Sequence, residues 1–311
     1  MRACAIVFLS IAALLAAAPS GGATNVCKKS STAAFGACRA AAKHDQLIAA
    51  GTCANTADAA AAKACARQAS ADAKDAVQSC KDQADYRKVV CGRLGPAPYV
   101  PAIAPANFSN STTIDNALFP LVPGTTFIYE GQTAGGLERD EFAVTHVTKV
   151  ILGITCVEVH DTVKLDGVVS EDTRDWFAQD DAGNVWYFGE NSAVLEDGLP
   201  VDLAGSWTAG VQGAQPGIVM EASPVVGDFY RQEFSLGNAE DLAEVKSLTA
   251  SVTVTAATCT NDCLETEEST TLAPDDIEHK FYKSGVGNVQ TVDVATGEHS
   301  DLIQITTGNP D

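Results

Sequence analysis

Six cysteines with mirror-symmetric spacing constrain the fold of this chain more than any other feature. Successive cysteines are 11, 15, 12, 15 and 11 residues apart, at Cys27, Cys38, Cys53, Cys65, Cys80 and Cys91. An 11-residue step along an α-helix ends about 20° past three full turns, and a 15-residue step drifts by about 60°. The cysteines of each half therefore share one side of a helix. Two antiparallel helices explain the symmetry if nested disulfides join Cys27–Cys91, Cys38–Cys80 and Cys53–Cys65.

The position of the turn between the two helices has two interpretations. Residues 24–93 are rich in Ala and contain no Pro, which favours helix throughout. Gly51 and Asn55 are typical of a helix end followed by an N-cap region, which centres the turn near residue 53. That turn suits a different pairing, Cys38–Cys65 with Cys27–Cys80. The three nested disulfides centre the turn near residue 59, and this pairing is preferred because it uses all six cysteines.

The N-terminal residues predict export. Arg2 precedes an apolar run from Ala3 to Ala18, and small residues follow, so residues 1–23 are interpreted as a secretory signal peptide. The run is short for a membrane span, and we expect no transmembrane segment. A secreted or periplasmic location keeps disulfides oxidised, which agrees with the stapled hairpin.

Three further cysteines lie outside the hairpin, at Cys156, Cys259 and Cys263. Only three residues separate Cys259 from Cys263, a spacing that suits a disulfide across the tip of a β-hairpin. This pairing predicts a free thiol at Cys156. The alternative is Cys156–Cys263, which leaves Cys259 unpaired.

Charge is divided unevenly along the chain. Residues 24–93 carry 11 Lys and Arg against 6 Asp and Glu, whereas residues 94–311 carry 8 against 34. The acidic part excludes nucleic-acid binding, because phosphate contacts need cations. The preferred interpretation is a solubilising, salt-tolerant surface. The alternative is a site for a divalent cation or a cationic substrate.

The pattern predicts an α+β protein with a disulfide-stapled antiparallel helical hairpin at 24–94. Four prolines make residues 95–106 an extended linker. Residues 107–311 then form an antiparallel β domain, either a curved sheet, a sandwich or an open barrel. Its one expected helix is Ala239–Leu248. Predicted strands cover 140–151, 154–165, 168–179, 184–190, 227–234, 251–257, 263–270, 278–283, 287–294 and 301–306.

The first predicted hairpin has one apolar and one polar face. Pairing across a turn at Leu152-Gly153 places Val144, His146 and Val159 on the apolar face, and His160 on the polar face. This arrangement argues against a metal site shared by the two histidines. It makes His146 a core histidine.

Several motifs of the β domain resemble a group of secreted bacterial proteins of unknown function. The motifs are Phe119–Gly131 (FPLVPGTTFIYEG), Asp175–Asp180 (DWFAQD), Gly183–Glu190 (GNVWYFGE) and Glu278–Tyr282 (EHKFY). The resemblance covers about residues 107–305 and implies an antiparallel β domain. It implies no activity, cofactor or catalytic residue. The cysteine-rich hairpin is similar to an accessory module placed before that domain.

The chain lacks the common catalytic signatures. It contains no G-x-S-x-G, H-E-x-x-H or C-x-x-C sequence. We therefore predict no metal site and no cofactor. His279 is the strongest catalytic candidate, because Glu278 precedes it and Tyr230 lies on another predicted strand. The alternative is a half-buried strand histidine.

Candidate ligand-binding residues are Arg231, Trp176 and Trp186. Arg231 is one of few cations in the acidic domain and would either form a structural ion pair or hold an anionic ligand. Trp176 and Trp186 flank one turn and would either pack in the core or line an aromatic pocket.

The sequence thus predicts an exported soluble protein that binds a small molecule or an envelope partner without catalysis, on the concave face of the β domain. One alternative is an exported hydrolase or metal-dependent enzyme that uses His279 with nearby carboxylates. Another is a structural envelope protein. Convergence of His279, Glu278 and Tyr230 in one open cleft would favour the enzyme.

Overall fold

The computed structural model describes residues 25–308 as a helical hairpin packed against a large, nearly closed antiparallel sheet. The predicted α+β class is therefore confirmed, and the sheet is barrel-shaped. The predicted signal peptide, residues 1–23, lies outside the described residues.

The hairpin consists of α1 (Val26–Ala54) and α2 (Ala59–Leu94). Asn25 and Asp58 cap the two N-termini by accepting hydrogen bonds from backbone N–H groups. Its few buried apolar side chains are mostly Ala, which contribute little core. Disulfides add the stability that such a small apolar core does not provide. They join the three pairs that the spacing predicts: Cys27–Cys91, Cys38–Cys80 and Cys53–Cys65.

One short 3₁₀ helix (Pro105–Asn107) precedes the strands. Within residues 25–308 the strands are β1 (Thr125–Thr133), β2 (Gly136–Ile151), β3 (Ile154–Leu165), β4 (Val168–Gln179), β5 (Val185–Glu196), β6 (Leu199–Asp202), β7 (Trp207–Thr208), β8 (Gln215–Met220), β9 (Phe229–Arg231), β10 (Glu233–Phe234), β11 (Asp241–Ala250), β12 (Cys263–Thr270), β13 (Ile277–Lys283), β14 (Gly287–Asp293) and β15 (His299–Thr307).

One short segment brings the two edges of the sheet together. The strand order is β10-β8-β5-β4-β3-β2-β1-β15-β14-β13-β12-β11-β9, with β6 and β7 on β5. The edge strands β9 and β10 are consecutive in the chain, and only Gln232 separates them. A Cβ on Gly217 would lie 2.4 Å from the Arg231 carbonyl oxygen, so glycine permits this close approach.

Two hydrophobic cores lie on opposite sides of the sheet wall. The inner core fills the end of the barrel where residues 108–124 enter, and includes Leu121, Val144 and Val159. The outer core contains Phe188 and lies under the linker. The disulfide Cys259–Cys263 is present, and Cys156 is a free, buried cysteine, as the sequence predicts.

The predicted helix Ala239–Leu248 is wrong, because most of it belongs to β11. Its Ala, Leu, Glu and Lys residues are good helix formers, but pairing with both β9 and β12 outweighs that preference. The strand predicted at 251–257 is also wrong. Only an isolated bridge, Thr253 to Thr258, forms in that region.

The first hairpin turns at Leu152-Gly153 as predicted, since Ile151 pairs with Ile154. A bulge between Val144 and Thr148 then shifts the register, which the sequence analysis missed. His146 lies in this bulge and is exposed, so its prediction as a core histidine is wrong.

The helical hairpin contacts the barrel beside β9 and β11. Arg87 on α2 forms a bidentate ion pair with Glu240, and both side chains are almost fully buried. Tyr86 hydrogen-bonds with Ser269, and the Arg93 guanidinium lies 3.7 Å from the centre of the Phe229 ring. The hairpin is thus attached through polar groups at the start of a barrel strand.

Candidate functional site

The interior of the barrel contains a cavity of about 540 Å³. Phe119, Pro120 and Leu121, from the segment before β1, line its floor. At the other end, Thr133 and Glu298 line the cavity in the β1–β2 and β14–β15 turns. The half-exposed His299 lies there too, so this end is the mouth.

Aromatic rings form the lower part of the cavity, at Phe119, Phe127, Tyr129, Phe142, Phe177, Tyr187 and Tyr282. The rings of Phe177 and Tyr187 stack at a centroid distance of 4.8 Å. Edge-to-face contacts join Phe119 to Phe142 and to Phe177. This packing gives the floor a fixed shape with electron-rich ring faces.

Carboxyl groups form the upper part of the cavity. Ten line it, from Glu138, Asp140, Asp161, Asp175, Glu233, Asp241, Glu268, Glu278, Asp293 and Glu298. Lys280 is the one Lys or Arg in the same lining. The potential inside the barrel is therefore strongly negative whenever these carboxyls are ionised.

Strand alternation places these groups. On β2, Glu138, Asp140 and Phe142 occupy successive inward positions, and each lines the cavity. On β4, Asp175 and Phe177 do the same. The inward residues of β2 and β4 thus change from acidic to aromatic from the mouth of the cavity towards its floor.

Asp140 and Asp161 form a close carboxyl pair in the cavity. Burial raises the pKa of Asp140 well above its ordinary value, and the charge of Asp161 and a hydrogen bond to it raise this pKa further. Burial also raises the pKa of Asp161. The Oδ1 atom of each residue is buried without a hydrogen-bond partner. An unpaired buried oxygen is costly, so this pair is a candidate ligand contact.

Other carboxyls deeper in the barrel are shifted in the same direction. Burial raises the pKa of Asp175 well above its ordinary range, although Tyr187 donates a hydrogen bond to it. Burial, with Asp241 and Glu190 nearby, also raises the pKa of Glu233. Glu190 is on the neighbouring β5, and burial raises its pKa to about 7. These groups repel one another when ionised, so they favour either protons or a cation.

Lys280 neutralises part of this charge. Its Nζ lies 3.0 Å from Glu268 Oε2 and 3.6 Å from Glu278 Oε2. Burial lowers its pKa, but these two carboxylates outweigh burial and hold the pKa well above the ordinary value. Tyr282 and Thr266 donate hydrogen bonds to Glu268 Oε1, which fixes this carboxylate. Lys280 and Glu268 are thus an internal ion pair, and most of the other carboxyls lack such a partner.

The structure does not bring His279, Glu278 and Tyr230 together in one cleft. Glu278 lines the cavity, but His279 and Tyr230 do not. His279 Nδ1 lies 2.7 Å from Glu265 Oε1, and its Nε2 lies 3.5 Å from Glu267 Oε2. The Tyr230 hydroxyl is buried and unpaired, and burial raises its pKa.

The other candidates also lie away from the cavity. The Arg231 guanidinium lies 4.4 Å from the centre of the Phe234 ring and 5.6 Å from that of Tyr99. Trp176 and Trp186 pack in or against the outer core. The indole N–H of Trp176 donates a hydrogen bond to Glu158. The Lys149 Nζ atom lies over the Trp176 ring, 3.1 Å from the ring centre.

Sequence reasoning missed the acidic lining of the cavity. Nine of the ten carboxyls come from eight different strands and Glu298 comes from a turn, so they form no compact acidic loop in the sequence. The available signal was the alternation within strands, where acids occupy the side that an apolar core would need. Glu138 and Asp140, followed by Phe142, show this pattern most clearly.

Within residues 25–308, no group of three or more His, Cys, Asp or Glu has a geometry that could hold a metal ion. No helix in this range is long and apolar enough to cross a membrane. No protein-family model, curated protein sequence or solved structure matches the chain. The cavity itself is therefore the basis for a functional proposal.

Proposed function

We propose that the β domain binds a small organic cation, a primary amine, inside the barrel. The main observation in support of this proposal is a cavity lined by ten carboxyls and one lysine above an aromatic floor. This proposal makes specific the predicted role of a non-catalytic binding protein that uses the concave face of its sheet.

The free energy of the buried carboxyls favours a cationic ligand. Without a ligand, burial and mutual repulsion disfavour their ionised form and raise the pKa values of Asp140, Asp175 and Glu233. An ammonium group offsets that repulsion and donates short, charge-assisted hydrogen bonds to the carboxylates. An anionic ligand would add to the repulsion instead.

The aromatic floor also suits an ammonium group. Phe142 and Phe177 lie one inward position deeper than Asp140 and Asp175 on the same strands. A cation held by these carboxyls therefore lies above ring faces, where cation–π attraction adds to the binding energy.

Export supports a role outside the cytoplasm. Four disulfides form in the described residues, which is typical of an oxidising compartment. Together with the predicted signal peptide, they support a secreted or periplasmic location. The partner is then a small molecule of that compartment rather than a nucleic acid.

The two alternative functions receive less support. A hydrolase based on His279 needs that side chain at a cavity, and its contacts are Glu265 and Glu267 instead. A purely structural protein needs a filled core, whereas this barrel encloses about 540 Å³.

Calorimetric titration with n-pentylamine tests the proposal. We expect n-pentylamine to bind and to raise the melting temperature, with 1-pentanol and pentanoate at least about tenfold weaker, because a charged hydrogen bond contributes more than a neutral one. The double variant D140N/D161N should weaken amine binding. The variant D172N, which changes a carboxylate that pairs with His160 outside the cavity, should bind like the wild type. Equal binding of amine and alcohol, or no binding of the amine, would contradict the proposal.

A further inference from the structure

Resting on the proposed function, we infer that the ligand is an α,ω-diamine or a longer polyamine that binds along the axis of the barrel. The carboxyls of the cavity are arranged in two tiers, one at the mouth and one deeper in the barrel. A chain with an ammonium group at each end pairs with the two tiers at once.

The outer tier lies at the mouth and consists of Glu138, Glu278, Asp293 and Glu298. These residues are at strand ends or in the turn before β15. The charges of Glu278 and Glu298 act on Glu138, and with burial they raise its pKa. Among the described residues, no ion pair is formed by Glu138. Glu138 is therefore repelled by its acidic neighbours and has no cationic partner of its own.

The inner tier lies deeper and consists of Asp140, Asp161, Asp175, Glu233 and Asp241. Asp175 and Glu233 are 6% and 5% exposed, so solvent does not neutralise this tier. The Oδ1 atoms of Asp140 and Asp161 are buried and unpartnered while their side chains line the cavity. Tyr187 donates to Asp175 in this tier, whereas these two Oδ1 atoms receive no such donor, and an ammonium group supplies three.

The distance between the tiers defines the length of the ligand. Glu138 and Asp140 are successive inward residues of β2, which places them about 7 Å apart along the strand. A chain of about five methylene groups spans that distance. Val163 lies on the neighbouring strand directly opposite Asp140 and lines the cavity beside this carboxyl, where methylene groups would pack.

Lys280 supports the same orientation. It follows Glu278 at the next inward position of β13, and its ammonium pairs with Glu268 and Glu278. This side chain already shows an ammonium group bound between two cavity carboxylates. Its ion pairs are with Glu268 and Glu278 and not with the inner tier, although its charge acts on Asp161 and Asp241 there.

Calorimetry on the full chain with 1,5-diaminopentane and n-pentylamine tests the inference. We expect the diamine to bind at least about tenfold more tightly, because its second ammonium gains charge-assisted hydrogen bonds to the outer tier. A series from 1,2-diaminoethane to 1,8-diaminooctane should show maximal affinity near the five-carbon chain. This series uses the wild-type protein and does not depend on the folding of a variant.

The double variant E138Q/E278Q separates the two tiers. It should lower diamine affinity much more than n-pentylamine affinity, so that the two amines bind about equally to this variant, whereas E267Q outside the cavity should change neither affinity. Equal affinity for the two amines, or no dependence on chain length, would overturn the inference while leaving the proposed function intact. Failure of both amines to bind would overturn both.

Discussion

Glu190 links the stability of the protein to pH. Burial and the charges of Asp241 and Glu171 raise its pKa to about 7, against about 4.3 for a glutamate in an unfolded chain. The folded state therefore holds the proton more tightly than the unfolded state. The resulting stability is fully present below the unfolded pKa and is lost as the pH rises through about 7.

We predict that the protein without ligand is more stable at pH 5 than at pH 8. Denaturant unfolding at the two pH values measures the difference, to which Glu190 should contribute up to about 3 kcal/mol. The variant E190Q should reduce this difference, because glutamine does not ionise. The variant E196Q, at the exposed end of β5, should not. A stability that rises from pH 5 to pH 8 would contradict this assignment.

At the scale of elements, the local sequence predicts where the chain turns better than whether a segment is a helix or a strand. The Leu152-Gly153 and Asp166-Gly167 turns follow from Gly153, Asp166 and Gly167, which accept positive φ, and both turns are observed. The nested disulfides follow from helical periodicity. The segment after Ala239 was missed because its composition favours helix, and only its neighbours in the sheet make it a strand.

The candidate site was less predictable than the elements. Each inward acid of β2 or β4 appears in the sequence as an ordinary polar residue of a half-exposed strand. Whether that side faces solvent or an enclosed cavity depends on closure of the sheet, through pairs such as Thr125 with Thr307. Such long-range pairing leaves no local pattern. The sequence therefore predicted a concave binding face but not its acidic lining.

We predict that Cys156 carries the one free thiol among the nine cysteines from Cys27 to Cys263. Alkylation of the native protein should be slow, because Cys156 is buried and burial raises its thiol pKa to about 12. After unfolding without reductant, peptide mapping should find the label on Cys156. A label on Cys259 would show that the Cys259–Cys263 disulfide is wrong.

At the scale of the whole molecule, a basic hairpin and an acidic barrel meet around one buried ion pair. Burial raises the pKa of Glu240, but hydrogen bonds and charge from Arg87 outweigh burial and hold it below the ordinary value. Thr271 and the backbone of Gly237 also donate to this carboxylate. Solvent salt screens such an enclosed pair far less than a surface contact.

We predict that R87M destabilises the protein by about 3–5 kcal/mol, because it leaves Glu240 buried without its cation. Denaturant unfolding measures the loss. The double variant R87M/E240L should recover much of it, since both charges are then removed. The variant K88M, at an exposed neighbouring position, should unfold like the wild type. A small effect of R87M would show that the hairpin contributes little to the stability of the barrel.

The pairing of β1 with β15 has a consequence for biosynthesis. Thr125 and Thr307 are partners although almost the whole β domain separates them in the chain. β1 is therefore synthesised long before its partner β15. Until β15 is available, the unpaired edge of β1 can form non-native strand pairs. Contacts of such high sequence separation also slow folding.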